Sequence, residues 1–234
     1  MAKTNDELLA ILSQFALEEK VVSAEPFGNG HINDTLKVTT DKGEIKYVLQ
    51  RINHLVFTNV EMLQHNIHVV TTHIREKLEA KGETDIDRKV LTFLPTKDGK
   101  YYYFDGDSYW RVCLFIPRSK SYEEVTPELS YEAGKAFGDF QLMLSDLPEG
   151  SLGETIPNFH NMEFRLQQFH EAVEANAAGR LEEVKDLVEE IEKRAEAMCI
   201  QERLYRERKL KKRTNHCDTK VNNMMFDADT DKVL

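Results

Sequence analysis

The chain has 234 residues, with 31 Lys and Arg against 41 Asp and Glu, for a formal charge of −10. With 41% hydrophobic and 31% charged residues it has the composition of an ordinary globular protein, which excludes collagen-like, disordered and disulfide-scaffold classes. It offers no run of about 18 apolar residues to cross a membrane and no basic region followed by an apolar run to act as a secretory signal, and its acidic balance argues against general nucleic-acid binding. Cys113, Cys199 and Cys217 show no paired spacing, so free thiols in a reducing cytoplasm are expected.

The first element expected is a helix with Leu8, Leu9, Ile11, Leu12, Phe15 and Ala16 on one stripe, capped by Asn5 or Asp6. Three strands follow over residues 21–27, 35–40 and 45–51. Gly28-Asn29-Gly30 and Asp41-Lys42-Gly43 turn between them, so an antiparallel meander is expected. Val60, Leu63, Ile67, Val70, Ile74 and Leu78 mark an amphipathic helix that Gly82 would end. Strands are expected over residues 90–94, 101–104 and 109–116, the last stopping at Pro117.

Beyond Pro117 the apolar period changes from two to that of a helix. Leu129 to Leu144, Leu166 to Val173 and Leu181 to Ala195 mark three helices, the last with Glu189–Lys193 and Glu190–Arg194 pairs on its outside. Met224, Met225 and Phe226 read as a short strand, and Lys232-Val233-Leu234 as the start of another. The order implies α+β with two lobes, residues 1–117 and 118–234, and a hinge near 115–122.

The segment with the clearest chemistry is His216-Cys217-Asp218-Thr219-Lys220-Val221-Asn222-Asn223, which fits H-x-D-x-x-x-x-N. In phosphoryl transfer an Asp accepts or orients the proton of the attacking hydroxyl, and an Asn five residues on turns back to hold magnesium on the phosphates. A second segment, residues 27–35 (FGNGHINDT), lies between two strands. A Rossmann fingerprint or Walker loop opens a helix, whereas a glycine hairpin between strands covers phosphates in the kinase manner. On the third strand Gln50 occupies the V-x-K register and Arg51 supplies a cation, with Glu61 and His65 on the next helix as candidate braces. Each has an ordinary reading as a polar loop, a hairpin turn or a strand-end arginine; their order along the chain is what points to a kinase.

With these segments in view, the chain resembles the aminoglycoside phosphotransferase and choline kinase superfamily, a protein-kinase-like fold, and within it the N-acetylhexosamine 1-kinase group. The stretches that carry the resemblance are residues 27–35 (FGNGHINDT), 49–53 (LQRIN), 109–112 (YWRV), 154–161 (ETIPNFHN) and 216–223 (HCDTKVNN). The resemblance implies an N-terminal antiparallel sheet lobe, a helical lobe, and ATP with Mg2+ at the hinge between them. It implies transfer of the γ-phosphoryl to a sugar hydroxyl, in the closest group the anomeric hydroxyl of an N-acetylhexosamine. By position Asp218 is then the base and Asn223 a metal ligand. Gly28, Asn29, Gly30 and Asn33 lie at the phosphates with Gln50 and Arg51, Phe115 lies at the adenine, and His160 and Asn161 lie near the sugar.

Relatives carry a D-x-D segment on the strand after the catalytic loop and are longer, so the helical lobe is expected to be incomplete at Leu234. Their loop also reads Thr-His-Asn-Asp where this chain has Asn215-His216-Cys217-Asp218.

Other readings fit the same residues. A truncated kinase-like module that binds nucleotide without turnover would keep the fold and lose the chemistry, and choline, ethanolamine or an aminoglycoside could replace the sugar. The basic run from Arg203 to Arg213 could bind an acidic surface, but such runs are ordinarily solvated helix faces. Cys217 lacks the second ligand pair that zinc requires.

Overall fold

The computed structural model describes residues 3–28 and 32–234. Two compact units are present, residues 1–155 with 214–234, and residues 156–213. The first unit begins with α1 (Asn5–Leu12). Its N-cap is Thr4, one residue before the expected cap, because Thr4 and Glu7 form a reciprocal capping box.

The meander expected from the turn signals is present as β1 (Val21–Pro26), β2 (Asp34–Thr40) and β3 (Ile45–Ile52). After α2 (Val60–Ala80) and the short α3 (Ile86–Lys89) come β4 (Phe93–Leu94), β5 (Tyr103–Phe104) and β6 (Tyr109–Leu114). The sheet order is β1-β2-β3-β6-β4, with β5 on the outer part of β6, and every pairing is antiparallel. The strand expected from residue 90 is shorter than the apolar run suggested, because Val90 closes α3 and is buried against Ile74 and Leu144.

Register settles which face each residue takes. Leu36, Val38, Tyr47, Leu49, Trp110 and Val112 alternate onto one face and pack with Leu8, Ile11, Leu12 and Phe15 of the N-terminal segment. Each such side chain contributes about 1.5–3 kcal/mol on burial. Asp105 secures the far end of this core by accepting from the Trp110 Nε1–H (2.8 Å) and from the N–H groups of Asp107 and Ser108.

After β7 (Ser119–Lys120) the chain enters α4 (Pro127–Met143), with Thr126 as N-cap and Pro127 in the first turn. Phe140, Met143 and Leu144 pack against Val70, Ile74 and Leu78 of α2. Lys77 of α2 donates to the Met143 carbonyl (2.6 Å) at the α4 C-terminus. The unit closes with β8 (Phe226–Asp227), which pairs with β7, while Val233 makes a single bridge to Phe226 where a new strand was expected to start.

The second unit holds α5 (Met162–Ala175), a 3-10 turn at Leu181–Val184, α6 (Lys185–Met198) and α7 (Ile200–Arg206). The helix expected from residue 181 is thus two pieces. Of the predicted outer pairs, Glu190–Arg194 forms (2.6 Å). Arg206 grips Glu163 with both terminal nitrogens (2.7 and 2.8 Å), and the Glu202 carboxylate accepts from the Met162 N–H, so α7 is tied to the start of α5. Among the described residues no helix is long and apolar enough to cross a membrane.

Candidate active site

The H-x-D-x-x-x-x-N loop is held at both ends by α4. On its N-terminal side the His216 ring sits between Phe137 and Phe140 (centroids 5.6 and 5.8 Å), and Gln141 donates to the Asn215 side-chain oxygen (3.3 Å). On its C-terminal side Met224 and Phe226 are buried with Ala133, with Leu129, Ala136, Phe137, Tyr122 and Val221 packed around them. A loop anchored this way presents its middle to solvent, and Asp218 is exposed there. Cys217 makes the turn possible with a left-handed backbone, φ 65°. It reverses the chain between a histidine that faces α4 and an aspartate that faces water.

A 3-10 turn at Val221–Asn223 then curls the backbone back. The Asn223 amide nitrogen donates to the Asp218 carboxylate (2.7 Å) and to the Asp218 carbonyl (2.9 Å). Lys220 lies 3.4 Å from the same carboxylate oxygen. The Asn223 amide first, and Lys220 after it, hold the Asp218 carboxyl below the usual range, against the smaller opposing effect of burial. Asp218 is therefore an ionised acceptor at neutral pH, suited to take or orient a hydroxyl proton. Because both bonds use the Asn223 amide nitrogen, its oxygen is the atom left to face a cation. Oxygen is the donor type that Mg2+ takes.

A second acidic pair, Asp227 and Asp229, follows the loop, but Asp227 is a turn residue. One of its oxygens accepts from the Asp229 N–H and from both the N–H and hydroxyl of Thr230, and the other accepts from Arg88 (2.8 Å). The Arg88 guanidinium, then Thr230, hold the Asp227 carboxyl well below the usual range. These contacts join β8 to α3.

At the sheet, Gly28 takes a left-handed φ of 79° at the end of the hairpin that Phe27 N–H and Thr35 carbonyl close (2.8 Å). Asn29 and Gly30 lie outside the described residues. The Asn33 side chain accepts from the Asn53 N–H (2.9 Å), which pins the hairpin to the end of β3. Gln50 and Arg51 point to opposite faces. Arg51 shares the strand side of Leu49 and pairs with Asp34 (2.5 Å) at the exposed edge. Gln50 donates to the Thr35 hydroxyl (2.9 Å) on the other face and accepts from Arg111. Phe115 bonds through its N–H to the Lys46 carbonyl and meets Phe27 edge-on (6.0 Å, 69°).

In the second unit Asn161 is the N-cap of α5, accepting from the Phe164 N–H (3.1 Å), and His160 lies edge-on to Phe159 (4.7 Å).

Two residues absent from the sequence-based expectations stand out: Arg111 on β6 and Gln64 on α2. Gln64 is 4% exposed, donates to the Tyr101 carbonyl (2.5 Å) and accepts from Arg111 (3.0 Å). Gln64 lies in no recognised motif, and Arg111 lies within residues 109–112, which carry the resemblance but assigned it no role. The available signal was the alternation along β6, which sets Arg111 opposite the apolar face of Trp110 and Val112.

Comparison with known proteins bears on the fold and the family. The crystal structure of a spectinomycin phosphotransferase in complex with ADP and spectinomycin superposes with a TM-score of 0.60 at 11% identity, covering 100% of this chain and 69% of that one. At that identity the likeness speaks for the fold, and the expected α+β kinase-like architecture is the one observed. The phosphotransferase enzyme family model matches residues 23–234. A match over nearly the whole chain, with the H-x-D-x-x-x-x-N loop inside it, shows that this chain belongs to the phosphotransferase enzyme family.

Proposed function

We propose that this chain transfers the γ-phosphoryl group of ATP to a sugar hydroxyl, and more narrowly to the anomeric 1-hydroxyl of an N-acetylhexosamine. The observation that carries the phosphoryl-transfer reading is the Asp218–Asn223 pair, bonded at 2.7 Å on a loop anchored at both ends to α4. The sugar reading rests on the resemblance of residues 27–35, 109–112, 154–161 and 216–223 to the N-acetylhexosamine kinases.

In this reading Asp218 accepts the proton of the acceptor hydroxyl and aims its oxygen at the phosphorus. Asn223 keeps the carboxylate ionised and oriented, and its amide oxygen would hold Mg2+. That ion, when bound, neutralises charge on the β- and γ-phosphates. The hairpin at Gly28 covers the phosphates, and Phe27 with Phe115 flanks the adenine.

The test is ADP release with N-acetylglucosamine, N-acetylgalactosamine, spectinomycin and choline as separate acceptors. Release with the two sugars alone supports the proposal. Release with spectinomycin or choline alone moves the acceptor to another class within the family, and release with none in a chain that binds ATP refutes a kinase for these substrates.

A further inference from the structure

The cation for the nucleotide phosphates is expected on the third strand, braced by a carboxylate on the following helix. Neither half of that pair is present in this chain in its expected form. The third-strand position in register is Gln50, a neutral amide, and the group reaching toward it from α2 is Gln64, also neutral. Between them lies Arg111, contributed by β6. Its Nε and one Nη donate to the Gln50 oxygen (2.8 and 2.5 Å), its other Nη donates to the Gln64 oxygen (3.0 Å), and the Phe93 ring lies 5.3 Å away.

Among the described residues no carboxylate pairs with this guanidinium; its hydrogen-bond partners are amide oxygens. Burial pulls the Arg111 guanidinium down to about 10, which still leaves it charged at neutral pH. A partly buried cation with no counterion is costly to keep unless an anion arrives. Its place in the sheet says where that anion would be. Thr35 pairs with Gln50, and Gln50 pairs with Arg111, so the three form one row across adjacent strands on the face opposite Leu49 and Val112. Strands lie about 4.8 Å apart, so the row spans about 10 Å. It begins at the residue whose carbonyl closes the glycine hairpin.

We propose that Arg111, held by Gln50 and Gln64, is the cation that binds the α- and β-phosphates of the nucleotide, in place of a third-strand lysine braced by a glutamate. This rests on the kinase reading and deepens it. A guanidinium offers N–H donors in a planar fork that matches phosphate oxygens, and with three directed at amide oxygens the rest are left for a phosphate. The neutral glutamines orient the fork without cancelling its charge.

The test is calorimetric binding of MgATP, MgADP and adenosine to the parent chain and to Arg111→Met. The expected result is a loss of about tenfold to a hundredfold for both MgATP and MgADP, with adenosine changed by less than twofold, because only the phosphates lose a charge-assisted partner. Equal weakening of adenosine would make Arg111 structural and overturn the proposal, as would unchanged MgATP binding. A parent chain that binds no nucleotide would instead refute the kinase reading itself. If Arg111→Met does not fold, the parent chain still decides the matter. The Arg111 Nε–H resonance, assigned by its absence in Arg111→Lys, shifts on adding MgADP and not on adding adenosine. A resonance unmoved by MgADP overturns the proposal.

Discussion

Replacing Phe226 by alanine separates anchoring of the catalytic loop from stability of the sheet. The Phe226 side chain is fully buried, stands edge-on to Tyr122 (5.1 Å, 78°), and shares its small cluster with Ala133 and Met224. Truncation of a buried Phe costs about 3–5 kcal/mol, of which the aromatic pair accounts for about 0.5–1.5 kcal/mol. The sheet core around Leu49 and Val112 is a separate cluster and shares no member with it. The loss therefore falls on the loop and the β8 turn. At about 1.4 kcal/mol per factor of ten, opening of residues 216–234 becomes roughly a hundredfold to a few thousandfold more frequent. Hydrogen–deuterium exchange read by peptide would show this as lost protection over 216–234 with β2 and β3 unchanged. Protection lost equally in the sheet, or retained in the loop, would refute the claim that Phe226 anchors the loop locally. Phe226→Leu, which keeps most of the volume, should lose far less.

Three further outcomes follow from other contacts. Burial alone would raise the Asp105 carboxyl, but the Ser108 N–H, Lys3, the Asp107 N–H and Trp110 outweigh it and hold it well below the usual range, so it stabilises the fold above about pH 4 and that contribution is lost as pH falls through its lowered value. Asp105→Ala orphans the Trp110 donor and two backbone N–H groups, and chemical denaturation at pH 7 should show a loss of about 2–4 kcal/mol that shrinks on acidification. Cys217 holds a left-handed conformation that asparagine tolerates better, so Cys217→Asn should raise stability by about 0.5–1 kcal/mol in the same assay. Gly153 sits where a Cβ would overlap the Met62 sulfur, while Asn66 binds its N–H and carbonyl (3.0 and 2.7 Å). Gly153→Ala should cost under about 1 kcal/mol, because the flexible end of Met62 can turn aside, and Met62→Ala in the same chain should recover what is lost.

What was legible in the sequence was what is local. The meander, α2 with its end at Gly82, α4 and the H-x-D-x-x-x-x-N loop each announce themselves within a few residues through period, turn chemistry or spacing. The left-handed backbone at Cys217 left no signal, since cysteine is not a residue type that marks positive φ. The Arg111 site was not legible because its parts come from β3, α2 and β6, with Gln50 and Arg111 separated by 61 positions. Only strand register brings them into one row. Arg51, a cation beside Gln50 in sequence, lies on the other side of the strand for the same reason, the two-residue alternation of side chains. The 3-10 break before α6 left no mark because its apolar residues keep helical spacing across it.

The central claim is phosphoryl transfer from ATP with Asp218 as the proton acceptor, and its most direct test is 31P NMR of the product from MgATP and N-acetylglucosamine. The account predicts a sugar 1-phosphate resonance that grows with ADP, and a rate lower by about 10²–10⁴ in Asp218→Asn with melting unchanged, since Asp218 is exposed. A phosphorylated product formed equally fast by Asp218→Asn, or no phosphorylated sugar from a folded chain that binds MgATP, would contradict it.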